Sequence, residues 1–97
     1  MYEVAWSEAA YRDLGLVWDR LPHLHPHLRI ARQVAESYLS QDPYLLSEGR
    51  ENDTIRILFV YPLAFLFVVN PEVRKVIVIA VWSFQLPKSS WSITTLS

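Results

Sequence analysis

Cysteine is absent from this chain of 97 residues, so neither a disulfide framework nor a thiolate metal site can form. Glycine occurs only twice, at Gly15 and Gly49, which is too few for a glycine-rich phosphate loop. Neither sign of charge dominates. Nine Lys and Arg stand against ten Asp and Glu, so the basic excess usual in nucleic-acid binding is missing. Long apolar runs are also lacking. The stretch Ile57–Val69 is broken by Pro62 and preceded by Arg56, well short of the roughly 20 apolar residues that a membrane span requires. Met1 is followed by Tyr2 and Glu3 rather than by a basic and then apolar leader, so a cytoplasmic location is expected. No Ser/His/Asp spacing and no paired-carboxylate motif suggests an active site.

What the chain does have is apolar and aromatic mass: 52% hydrophobic residues, including four Trp, five Tyr and four Phe. That composition favours a packed core over disorder, and the length suits one domain. We expect the domain to span residues 1–86, with a Ser/Thr-rich tail at 87–97. From Thr54 onward, three β-branched and aromatic runs are separated by proline-bearing turns at Tyr61-Pro62 and Asn70-Pro71-Glu72. Such runs favour strands, and connections this short make neighbours antiparallel. The expected strands are Thr54–Val60, Leu63–Asn70 and Val73–Ser83, with Val4–Trp6 adding to the same sheet. Alternation within them gives two apolar sets, Leu58, Val60, Leu66, Val68, Ile77 and Ile79 against Ile57, Phe59, Phe65, Phe67, Val76 and Val78. Neither face of the sheet can then be fully wet.

The first half reads as two helices. Ser7 is a favoured N-cap, and Ala10, Leu14, Val17, Trp18 and Leu21 recur at helical spacing with Arg12, Asp13, Asp19 and Arg20 opposite. Gly15 weakens this helix or marks a close packing contact. Pro22 ends it, and Pro26 suits the first turn of the next. There Leu28, Ala31, Val34, Ala35, Tyr38 and Leu39 form the apolar stripe, with Arg29, Arg32 and Glu36 toward solvent, until Asp42-Pro43 stops the helix. Residues 43–53 read as a polar loop. The expected architecture is α+β in the order β-α-α-β-β-β, a two-helix hairpin packed on a small antiparallel sheet.

Four cations lie nearest the sheet: Arg50, Arg56, Arg74 and Lys75. Arg56 projecting from an exposed face beside the Gly49-Arg50 loop would suit a phosphate, whereas the ordinary alternative is a solvated strand residue paired with a nearby acid. Arg74 and Lys75 suit nucleic acid or the routine charging of a hairpin end. His23, His25 and His27 alternate across the interhelical link. They suggest either a transition-metal pair or loop histidines, and no physiological metal or cofactor is expected. Trp6, Trp18, Trp82, Phe59, Phe65 and Phe67 are expected in the core rather than as base-stacking platforms. Trp91 and Ile93, set in the polar tail, are expected to contact a partner.

The order strand, helix, helix, meander resembles the RelE/ParE toxins of type II toxin–antitoxin modules. The resemblance runs from about Val4 to Trp82. It rests on Val4–Ala10, the Gly49-Arg50 loop, Arg56–Phe59, Phe65–Asn70 and Val76–Trp82. It implies a bacterial, plasmid-stabilising type of toxin with an antitoxin partner and a ribosome–mRNA or gyrase target. RNA-cleaving members carry cations on the middle strands and a basic residue after the last one. Here Phe59 and Ala64 occupy the strand positions, and Ser83–Leu86 follow the last strand. Weak or absent endoribonuclease activity is therefore expected. The other expectation is a non-catalytic interaction module of the same fold that self-associates as a homodimer.

Overall fold

Serine and proline set the boundaries of the first elements. In the computed structural model, which describes residues 1–50 and 52–86, strand β1 (Glu3–Trp6) ends just before Ser7. The Ser7 hydroxyl accepts the Ala10 N–H at 3.0 Å and caps α1 (Glu8–Arg20), satisfying one of the donors a helix start leaves open. A single 3₁₀ turn, Pro22–Leu24, links it to α2 (His25–Gln41), which carries Pro26 in its first turn. The two helices form the expected hairpin. The 87–97 tail, with the partner contacts expected of Trp91 and Ile93, lies outside the described residues.

Strands β2 (Glu48–Arg50), β3 (Asn52–Val60), β4 (Leu63–Asn70) and β5 (Lys75–Ser83) follow. The sheet order is β1-β5-β4-β3-β2. The three long strands form the expected antiparallel meander, but the sheet as a whole differs from expectation in two ways. It is mixed rather than antiparallel, because β1 returns beside β5 in parallel, Glu3 against Lys75 through Trp6 against Val78. The helical hairpin acts as the crossover that a parallel return needs. Part of the expected 43–53 loop is also a strand: β2 pairs with β3, Glu48 opposite Ile57 and Gly49 opposite Arg56. Glu-Gly-Arg has little intrinsic strand preference, so pairing with β3 rather than propensity makes it extended.

Both helices cover one face. Val17, Leu28, Ala31, Ala35 and Leu39 meet Leu58, Phe65, Phe67, Val69, Val76, Val78 and Val81 in one buried cluster. The register sets Leu58 against Phe65 and Arg56 against Phe67, so the phase of β3 is opposite to the alternation expected from sequence. Leu58 faces the helices, and Ile57 and Phe59 face away. A register shift between Leu66 and Phe67 places Leu66 opposite Ala80 and Phe67 opposite Val78, leaving Ile79 as the extra residue. This bulge changes the phase of β5 midway, which is how both Val78 and Val81 reach the helix side.

Beyond Trp6, β1 no longer covers β5. Asp13 of α1 takes over there, accepting the Val81 N–H at 3.0 Å. It therefore does not sit on the solvent side with Arg12, as its spacing suggested. Burial, the largest influence, pushes its carboxyl above the ordinary 3.8, while the Val81 N–H and Arg12 pull it down. Gly15 makes no close contact: a Cβ there would meet nothing within 4 Å.

Substitutions at Gly15 and Asp13 have defined outcomes for stability. Gly15→Ala should gain about 0.5–1 kcal/mol in thermal unfolding, since it restores helix propensity at no steric cost. Asp13→Ala should lose about 1–3 kcal/mol by orphaning the Val81 N–H. Asp13→Asn keeps an acceptor and removes the charge. Because the folded carboxyl binds its proton more tightly than the unfolded one, its favourable contribution is present below the ordinary value and fades as pH rises through the raised one. The Asn variant should thus gain on the native chain in urea titrations as pH rises from about 4 to 7. A pH-independent difference would discount the burial of Asp13.

Candidate functional site

The four expected cations do not converge. Arg56 lies in the middle of β3 on the helix-facing side, only 9% exposed. Its Nε donates to Ser47 Oγ at 2.6 Å and its Nη2 to the Ser47 carbonyl at 2.9 Å. Tyr44 stacks over the guanidinium at 5.2 Å, and the Ser47 hydroxyl itself donates to the Pro43 carbonyl at 2.6 Å. Arg56 therefore braces the turn that joins α2 to β2. It does not project from the open face, as a phosphate ligand beside Arg50 would need to. The missed residues here are Ser47 and Tyr44, and only their closeness to Asp42-Pro43 marked them as turn formers.

Arg50 is exposed at the far end of β2, opposite Asn52. Lys75 opens β5 opposite Asn70. These lie at one end of the sheet, three strand spacings apart, on the order of 14 Å. Arg74 sits at the tip of the β4–β5 hairpin with φ 53°, a left-handed conformation that costs a non-glycine residue about 1 kcal/mol. An Asx turn (Glu72 N–H to Asn70 Oδ1, 3.2 Å) and the Arg74 N–H to Pro71 carbonyl bond hold it there. Its guanidinium reaches over Tyr2 at 5.8 Å. The geometry places Arg50, Arg74 and Lys75 along one rim rather than around one phosphate.

On the helical side, a polar seam unites three elements. Trp6 Nε1 donates to Glu36 Oε2 at 2.8 Å. Arg32 approaches the same oxygen at 3.5 Å and lies over the Trp6 ring at 4.8 Å, while Tyr11 stacks on Trp6 at 5.5 Å. The expectation that Arg32 and Glu36 simply face solvent is thus corrected: a half-buried indole needs an acceptor, and Glu36 supplies it. His25 stacks on Trp18 at 3.5 Å with its Nε2 2.7 Å from the Trp18 carbonyl, so it clasps the end of α1 to the start of α2. Among the described residues, no three His, Asp or Glu side chains gather as a metal site. His23 and His27 are exposed.

The remaining surface is the face of the sheet away from the helices. On the three central strands it carries Ile55, Ile57 and Phe59, then Ala64, Leu66, Val68 and Asn70, and then Lys75, Ile77, Ala80 and Trp82, with Ile57 and Ala64 buried and Phe59 and Ile77 exposed. Of these, Lys75 at the rim end carries the charge, and the rest are apolar or amide side chains. Phe59 is 45% exposed and Phe84 47%, their rings 5.6 Å apart. Gln85 Nε2 donates to the Tyr61 hydroxyl at 3.3 Å beside them. Among the described residues, this end of the face offers mainly apolar contact, with the Tyr61 hydroxyl and the Gln85 amide as its polar groups.

The fold is that of RelE/ParE toxins. A chain of the toxin–antitoxin complex RelBE2 from Mycobacterium tuberculosis superimposes with a TM-score of 0.67 at 21% identity, covering 84% of this chain and 90% of that one. A chain of the chromosomal ParDE system from P. aeruginosa gives 0.67 at 18% identity, covering 86% and 96%. A chain from an arginine-substituted E. coli toxin RelE in complex with an antitoxin RelB peptide gives 0.57 at 16% identity, covering 97% and 96%. No family model and no curated relative matches the sequence. No helix among the described residues is long and apolar enough to cross a membrane.

The bracing role of Arg56 has a direct check. Arg56→Ala should lower stability by about 2–3 kcal/mol in urea unfolding, because charged hydrogen bonds in a largely buried place are lost. Arg56→Lys should recover only part, since one ammonium cannot span both Ser47 oxygens. Arg50→Ala, fully at the surface, should stay within about 0.5 kcal/mol. Equal stability of the native chain and Arg56→Ala would refute the brace.

Proposed function

We propose that this chain is a toxin of the RelE/ParE type that acts by binding rather than by cutting RNA. The observation that carries the reading is the sheet face away from the helices, whose middle stretch presents Ile57, Phe59, Ala64 and Leu66 where phosphate chemistry would need cations and a proton carrier, with Lys75 alone at its rim end. Its partner in the resting state is an antitoxin, a protein segment laid across apolar surface. The neighbours of the fold, solved as toxin–antitoxin complexes, support that partner. Its target is reached through protein contact, on the ribosome or on gyrase. Arg50, Arg74 and Lys75 form the rim that would meet an anionic target, and Trp91 and Ile93 are further partner contacts. The chain works in the cytoplasm of a bacterium.

Expression in a bacterial host should slow growth, and co-expression of the adjacent open reading frame should relieve it. Translated messages should remain intact when the purified chain is added to a translation reaction. Robust cleavage that Arg50→Ala or Arg74→Ala abolishes would overturn the binding-only reading. Normal growth together with intact messages and normal DNA supercoiling would leave a non-catalytic interaction module instead.

A further inference from the structure

The charged residues of α2 all lie on one flank. Arg32 and Glu36 engage Trp6 of β1, and Arg29 lies 5.9 Å over Trp18 of α1. The opposite flank, turned away from α1, has no formal charge. It presents Ile30, Val34 and Tyr38, spaced i, i+4 and i+8 on one helix side, with Gln33, Ser37, Gln41 and the imidazole of His27 around them. Val34 and Tyr38 were expected in the core. Instead the core side runs through Leu28, Ala31, Ala35 and Leu39, which leaves Val34 half-buried and Tyr38 40% exposed. Ile30 is 59% exposed. The turn that follows the C-terminal end of α2 exposes two more apolar side chains, Leu45 at 69% and Leu46 at 54%. A helix flank that meets only water normally carries charge, and this one carries aliphatic and aromatic side chains instead.

We propose that this flank joins two copies of the chain, with α2 packed antiparallel against α2 across a two-fold axis near Val34. The stripe is its own complement. With Val34 on the axis, Ile30 of one copy meets Tyr38 of the other, and the interface is isologous. Since the flank holds no formal charge, the two-fold brings no like charges together, and the helix dipoles oppose each other favourably. The area is adequate. The exposed apolar surface of Ile30, Tyr38, Leu45 and Leu46 is on the order of 400–500 Å², and the polar residues beside it can supply the rest of the roughly 800 Å² per partner of a standard interface. Dimerisation here leaves the open sheet face and the basic rim free, so it is compatible with an antitoxin or a target bound elsewhere.

The test uses the full chain in size exclusion with light scattering and in sedimentation equilibrium. The native protein should be dimeric at tens of micromolar and dissociate on dilution, as expected for an interface of modest apolar area. Ile30→Glu and Leu45→Glu should each raise the dissociation constant at least tenfold, with the circular dichroism unchanged. Phe59→Asp, on the open sheet face, should leave the dimer intact. Because the chain has no cysteine of its own, Val34→Cys should cross-link to a covalent dimer under mild oxidation, whereas Glu8→Cys on the exposed start of α1 should not. This readout stands even if a charged variant fails to fold. A monomer at every concentration, a dimer that Phe59→Asp dissolves while Ile30→Glu leaves it intact, or no preferential cross-linking at Val34→Cys would overturn the proposal.

Discussion

Burial of one side of β4 beneath the helical hairpin is the constraint on which the rest depends. Leu63, Phe65, Phe67 and Val69 are each no more than 2% exposed, and all project to that side. Removing side chains of this size from water is worth about 1.5–3 kcal/mol apiece, far more than any single ion pair on the surface. The exposed Arg12–Glu8 pair at 3.9 Å is the contrast. Once β4 is fixed, its register dictates which residues of β3 and β5 face inward. The bulge at Ile79 is the adjustment that keeps β5 in phase with the helices over its whole length. Asp13 then closes the stretch of β5 that no strand covers.

The same packing explains why the two faces have such different chemistry. The helix side takes the polar contacts with it: Glu36 on Trp6, His25 on Trp18, Arg56 on Ser47. These side chains support the architecture, and the other face is left with a mainly apolar middle. A fold can persist while the chemistry placed on it changes, because the core pattern and the surface residues answer to different demands. Structural likeness at 16–21% identity fits that separation.

Much of the architecture was legible in the sequence because its signals are local. Proline at positions 22, 26, 43, 62 and 71 marks turns or helix starts, and the apolar runs between them distinguish the meander from the helices. What escaped depends on long-range pairing. Ile57 and Leu58 are equally apolar, so alternation could not say which one faces the helices, and the orientation of Arg56 went with that choice. Strand β2 has no propensity of its own and exists by pairing with β3. The bulge at Ile79 interrupts a run of valine and isoleucine without any glycine to announce it. Of the candidate site, the lack of cations at Phe59 and Ala64 could be read directly. The capture of Arg56 by Ser47 could not, since it depends on how the turn after α2 folds back over β3.

The parallel pairing of Glu3 with Lys75 has a consequence for synthesis. Strand β1 can find its place only after β5 has been made, because β5 is its neighbour in the sheet. During translation, the N-terminal strand and the amphipathic hairpin emerge with their apolar sides uncovered and have no sheet to rest on. A chain released before Lys75 would lack the strand that both β1 and α1 pack against. Such a truncated product would therefore not be a weaker version of the domain but an unfinished one.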